Sequence, residues 1–307
     1  MVIWSFTLKY YICSVLQKFN KMKKLSLVLP LALGVVLFSC GGNKEAEEAE
    51  HVDTTAYVAP EDTTPVTVNE EIKFKFDFAI ANIPSPVNMI NDISGWGVAY
   101  DGGLLNDPKK SSNYKDEFTK SVTLGIYNID MAYAMVNNQG QDVMKYMKTA
   151  MLQSDNLGLK GAVDRMVGKR AETNLGSKDS LLNILSDIFV KSDSYLRTNE
   201  RVYTASSVFA GTWIEGLYLT CKIGENATNA EAKAKAHKAV WDQRFYLKNL
   251  IDLLEPYKDK KEAAALNEDF KNIHKEIDAV KDAKDIDDAK FKSISDKIVG
   301  LRNKITG

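Results

Sequence analysis

Two acids set among apolar residues are the groups in this chain best suited to chemistry. Asp130 stands in Tyr127-Asn128-Ile129-Asp130-Met131-Ala132-Tyr133, and Glu215 in Trp213-Ile214-Glu215-Gly216-Leu217-Tyr218. A carboxyl group in such company loses solvation and its pKa rises. It could then serve as an acid or base, or anchor a ligand. If both acids meet in one cavity with Tyr133 and Tyr218, those four residues form a candidate polar site. Plainer roles compete. Asp116, Thr123, Asp130 and Asn137 recur every seventh residue, which makes a polar stripe: a thin solvent face or a seam between helices. Glu215 shares a face with Arg201, Thr204 and Lys222, which suits a partly buried ion pair.

Other chemistry is thinly represented. His51, His237 and His274 are the three histidines, and no Glu-x-x-His or His-Glu-x-x-His pattern joins them. No Asp-rich calcium loop occurs. Neither a metal nor a cofactor is expected, and no catalytic residue is assigned. Cys221 has apolar neighbours and reads as a core residue. Gly168-Lys169-Arg170 lacks the spacing and the Ser/Thr of a phosphate loop, and Gly95-Trp96-Gly97 lacks a third glycine. Trp96, Tyr100, Trp213 and Tyr218 would suit stacking on a sugar or peptide, with core packing as their alternative use.

The elements that must position these groups are helices. The spacing predicts helices over about 113–137, 141–156, 162–173, 202–223 and from Thr228 to Pro256, with Ser177 capping another around Leu181 to Leu196. Leu266, Phe270, Ile273, Ile277 and Val280 step by four and three, as do Phe291, Ile294, Ile298, Leu301 and Ile305. These are antiparallel coiled-coil-like seams. One segment departs from this texture. Val66, Val68, Ile72, Phe74, Phe76, Phe78 and Ile80 fall on alternate positions, which predicts an extended strand-like arm. The expected fold is all-α: a multi-helix bundle of about eight or nine helices, with that arm at its N-terminal side and a coiled-coil-like C-terminal part. A core domain at 72–224 and a C-terminal bundle at 225–307 are expected.

The chain carries 40 Lys+Arg against 41 Asp+Glu over 307 residues, but the balance is uneven. Residues 1–39 hold five lysines and no acid, and 40–71 hold nine acids against Lys44 alone. The body from Ile72 is therefore close to neutral, which gives no reason to expect nucleic acid. Lys23-Lys24 precede a charge-free run from Leu25 to Phe38, too short to span a bilayer and suited to a secretory signal starting at Met22. Leu37-Phe38-Ser39-Cys40-Gly41-Gly42 closes the run. It resembles a bacterial lipobox, in its Phe-Ser-Cys form that of Bacteroidota, and implies acylation of Cys40. Residues 40–71 then read as a disordered acidic tether. Its Lys44-Glu45-Ala46-Glu47-Glu48 resembles the surface-export signal of Bacteroidota lipoproteins. Asp53-Thr54-Thr55 and Asp62-Thr63-Thr64 look like their O-glycosylation sites, at Thr54 and Thr63.

Ile83-Pro84-Ser85-Pro86, Leu124-Gly125-Ile126-Tyr127 and Asp179-Ser180-Leu181-Leu182 resemble, over roughly 72–224, a group of uncharacterised Bacteroidota lipoproteins. The resemblance implies an all-helical fold and supplies no activity. The resulting expectation is an outer-membrane lipid-anchored protein on the cell surface or the periplasmic face. It would touch the membrane through acyl chains and bind a small ligand or an envelope protein without catalysis. An enzyme using Asp130 and Glu215, or a self-associating scaffold, are the alternatives.

Overall fold

The computed structural model describes residues 68–82, 86–159 and 201–307, with scattered positions between 169 and 187. Cys40, Thr54, Thr63, the leader, nearly all of the tether and most of the expected helix at 162–173 lie outside the described residues. The protein is an all-α multi-helix bundle. Eight helices are described: α1 Val68–Asn82, α2 Pro86–Ser94, α3 Glu117–Val136, α4 Gly140–Asn156, α5 Val202–Asn226, α6 Ala230–Leu254, α7 Lys261–Asp278 and α8 Asp288–Thr306. No strand occurs among the described residues.

α3 and α5 form the centre. Every residue of α3 from Ser121 to Val136 is buried, as is most of α5. Both helices are apolar around most of their circumference, so each must be surrounded by neighbours. They cross with backbones nearly touching. A Cβ on Gly125 would fall 2.6 Å from the Thr212 amide nitrogen and closer still to the Val208 carbonyl oxygen. A Cβ on Gly211 would fall 2.7 Å from the Val122 carbonyl carbon and closer still to its oxygen. Glycine is required at both positions because of this approach.

The remaining helices are arranged around this pair. α4 packs on α3, α6 on α5, α7 on α6, and α8 returns to α5 and α3. α2 lies against α3 and α5. The α7 and α8 seams meet each other and also close on the central helices. Leu266, Phe270, Ile273 and Ile277 are buried from one, and Phe291, Ile294, Ile298 and Leu301 from the other. A single apolar cluster extends from Phe76 to Leu301.

Caps explain the boundaries. Asp116 accepts the Thr119 amide at 2.7 Å and starts α3. Asn138, at φ 59°, turns the chain towards α4 in a conformation that asparagine tolerates. Asn229 caps α6 by accepting the Ala232 amide at 2.7 Å, one residue beyond the expected Thr228. Ser177 accepts the Ser180 amide at 3.3 Å, as expected for a helix start.

The strand-like arm is overturned: its described part, from Val68, is α1. Ile72, Phe76 and Ile80 lie on alternate positions, but they are also four apart, so the same residues fit a helical face. Phe76 and Ala79 are buried on that face, with Ile72 and Ile80 packed beside them against the common core. With no second strand among the described residues to pair with, the backbone satisfies its hydrogen bonds within a helix. Phe74 and Phe78 are left on the outer face, 69% and 56% exposed, with ring centroids 6.5 Å apart.

Candidate functional site

Helix α3 brings Asp130 to the middle of the bundle, and α5 brings Glu215 to the same place. Both are fully buried, at 0% exposure. α8 contributes Arg302 from its last turn but one. The Arg302 Nε donates to Glu215 Oε2 and its Nη2 to Oε1, both at 2.9 Å, a bidentate pair. The same Nη2 donates to the Leu104 carbonyl at 3.1 Å. The guanidinium also lies over the Tyr218 ring, 4.3 Å from its centroid.

The loop between α2 and α3 closes the cluster. Two short 3-10 turns shape it, Gly102–Leu104 and Pro108–Ser112, capped by Asp101 and Asp107. The Asn106 amide donates to Asp130 Oδ2 at 3.1 Å, and its side chain donates to the Tyr114 hydroxyl at 3.1 Å. Tyr114 donates to the Thr306 carbonyl at 3.4 Å, and Tyr127 to the Asp107 carbonyl at 3.1 Å. These bonds fasten loop, α3 and α8 into one polar knot.

Asp130 is within hydrogen-bonding reach of Glu215, and its Oδ1 finds no donor among the described residues. Two carboxylates cannot bond each other unless one holds a proton. Burial raises the Asp130 pKa, Glu215 raises it further, and Arg302 only partly opposes them. Beside the Arg302–Glu215 pair, the neutral form of Asp130 is therefore favoured over its anion. Burial works against the Arg302 charge, but Glu215 beside it more than compensates and raises its pKa. The Arg302–Glu215 ion pair and the Asp130 carboxyl thus share one interior cluster.

The sign of the pH dependence follows. A carboxyl whose folded pKa is raised stabilises the fold fully below its unfolded pKa of about 4. That contribution is lost as pH rises through the folded value. Asp130→Asn keeps a donor towards Glu215 and an acceptor for the Asn106 amide. It should raise stability at neutral pH and flatten the decline towards alkaline pH, read by urea unfolding from pH 5 to 9. A variant less stable than the parent at pH 7, with the alkaline slope intact, would show that Asp130 is ionised.

The expected four residues are only partly united. Asp130 and Glu215 meet, and Tyr218 joins through Arg302. Tyr133 turns elsewhere: its hydroxyl accepts the Asp101 amide at 3.4 Å and its ring stacks on Tyr100, centroids 5.1 Å apart. Burial raises both the Tyr133 and Tyr218 phenols, so they stay protonated. The ion pair expected for Glu215 exists, but not with the nearby cations. Arg201 pairs with Glu117 at 2.9 Å and Lys222 with Glu225 at 2.5 Å. The seven-residue stripe of α3 becomes cap, seam and cap: Asp116 and Asn137 end the helix, while Thr123 accepts from Gln153 of α4 at 3.1 Å. Arg302, Asn106 and Tyr114 were missed. For Arg302 a signal existed: it lies four residues after Ile298 and three before Ile305, beside the seam.

An open cleft of about 180 Å3 lies elsewhere, between α2, α5 and α6. Trp96 and Trp213 are in its lining with Phe209 and Tyr246, and Asp92 and Asp242 stand beside them. Trp213 Nε1 donates to Gln243 Oε1 at 2.8 Å, which fixes the indole. Cys221 is buried away from it, its thiol pushed up to about 12 by burial. Among the described residues, no group of three His, Cys, Asp or Glu is placed to hold a metal ion. No protein-family profile, curated protein or solved structure matches this chain.

Proposed function

We propose that this protein is a lipid-anchored, non-enzymatic helical module of the cell envelope that binds a small ligand in the cleft between α2, α5 and α6. The observation that carries the reading is the lining of that cleft. Two tryptophans from distant parts of the chain, Trp96 and Trp213, line the same open cleft. Concave sites with aromatic walls and a few polar groups are where small molecules bind. The buried acid pair supports a different use of charge. Its groups are spent on each other, on Arg302 and on the loop, and a substrate would have to displace that knot to reach them. Anchoring through Cys40 rests on the lipobox resemblance, and outer-membrane placement rests on the likeness to Bacteroidota lipoproteins. Among the described residues, no helix is long and apolar enough to cross a membrane.

One experiment tests both parts. The native lipoprotein is purified from envelopes beside two variants, and bound small molecules are identified by mass spectrometry. Ala239→Phe fills the cleft from α6 and should lose the ligand that the parent retains, with unchanged helical content. Cys40→Ala should leave the detergent phase but keep the ligand. A parent that carries nothing sinks the binding reading. A Cys40→Ala protein that still enters the detergent phase sinks the anchor.

A further inference from the structure

The cleft has a chemical bias that narrows its ligand. Its aromatic residues are Trp96, Phe209, Trp213 and Tyr246, and its acids are Asp92 and Asp242. No Lys, Arg or His is among the lining residues. Asp242 is partnered at 2.5 Å by Lys238, one turn before it on α6. Asp92 on α2 is exposed and has no ion-pair partner among the described residues.

Part of the polar lining is engaged: Trp213 Nε1 is spent on Gln243 Oε1, and Gln243 Nε2 donates to the Ala239 carbonyl at 3.2 Å. The Asn88 amide and the Tyr246 hydroxyl remain beside them. The charged groups of the lining are carboxylates alone, set among aromatic side chains. Both attract a cation, the rings through their quadrupole and the carboxylate through its charge. The volume sets the size: a cavity of about 150 Å3 takes a benzene-sized molecule.

We propose that the cleft binds an alkylammonium group, the positively charged end of a small organic cation, with the rings around its carbons and Asp92 facing its charge. This rests on the cleft being the binding site. A free amine, a quaternary headgroup and a lysine side chain share this chemistry.

The test uses the full chain with Cys40→Ala, titrated by calorimetry and by tryptophan fluorescence. The probes are choline, n-butylammonium, 3,3-dimethyl-1-butanol and N-acetylglucosamine. Choline or n-butylammonium should bind saturably. A preference for choline indicates a quaternary headgroup, and a preference for n-butylammonium indicates a primary amine or lysine side chain. Dimethylbutanol, which matches choline in shape but has no charge, should bind at least about five-fold more weakly. Asp92→Asn, on an exposed position, should weaken the cation about five-fold and leave unfolding unchanged. Ala239→Phe should abolish binding. Equal affinity for choline and its neutral analogue, or an Asp92→Asn protein that binds as well as the parent, overturns the cation assignment and leaves a cleft that binds. N-acetylglucosamine binding in their place does the same. No saturable binding of any probe overturns the alkylammonium proposal. The cleft reading then stands or falls on whether Ala239→Phe removes a ligand carried by the native protein.

Discussion

Replacing Arg302 with methionine should cost about 3–5 kcal/mol of stability, the usual penalty for removing one partner of a buried ion pair. The loss should exceed what the missing hydrogen bonds alone would give, because Glu215, at 0% exposure, would be left buried without its cation. Glu215→Gln combined with Arg302→Met removes both charges and should recover much of the loss. Urea unfolding of the single and the double variant reads both. A loss under about 1 kcal/mol for Arg302→Met would mean that water reaches the pair.

The second large effect is expected at the crossing of α3 and α5. Gly211→Ala places a methyl group into the Val122 peptide, and Gly125→Ala places one against Val208 and Thr212. Backbone cannot step aside as a side chain would, so the two central helices must separate. Overpacking of a core typically costs 1–3 kcal/mol, and here the whole bundle is built on the crossing, so each variant should lose at least about 3 kcal/mol. Gly300→Ala is the control. It lies within α8, where an added Cβ meets nothing within 4 Å. There the better helix propensity of alanine should add about 0.5–1 kcal/mol. Thermal unfolding of the three proteins separates steric from propensity effects. Equal melting temperatures for Gly211→Ala and the parent would disprove the close crossing.

Much of the fold was legible because burial follows helical spacing. The steps of three and four in α7 and α8 fall on residues that are buried, and the apolar girth of α3 and α5 marks them as central. α1 was misread because residues four apart satisfy both a period of two and a helical turn. Only the absence of a pairing strand among the described residues decides between them. At the polar cluster, the two acids were visible as exceptions within apolar helices. Arg302 was not paired with them, because it lies 87 residues from Glu215 and nothing local links the two. The sequence placed Trp96 and Trp213 on a list of aromatics, but their meeting depends on how α2 and α5 pack.

Arg302 lies on α8, which follows α3 and α5 in the chain, and this makes the order of synthesis matter. Both acids are in place long before the group that balances them. Until α8 arrives, the joined interior of α3 and α5 holds two carboxyl groups that no cation neutralises, and the loop at Asn106 lacks its Thr306 tie through Tyr114. A chain broken anywhere upstream of Arg302 should therefore stay loose and be cut by proteases, even with most of its apolar core present. Translation through Arg302 supplies the guanidinium that closes on Glu215 and ties the interior together.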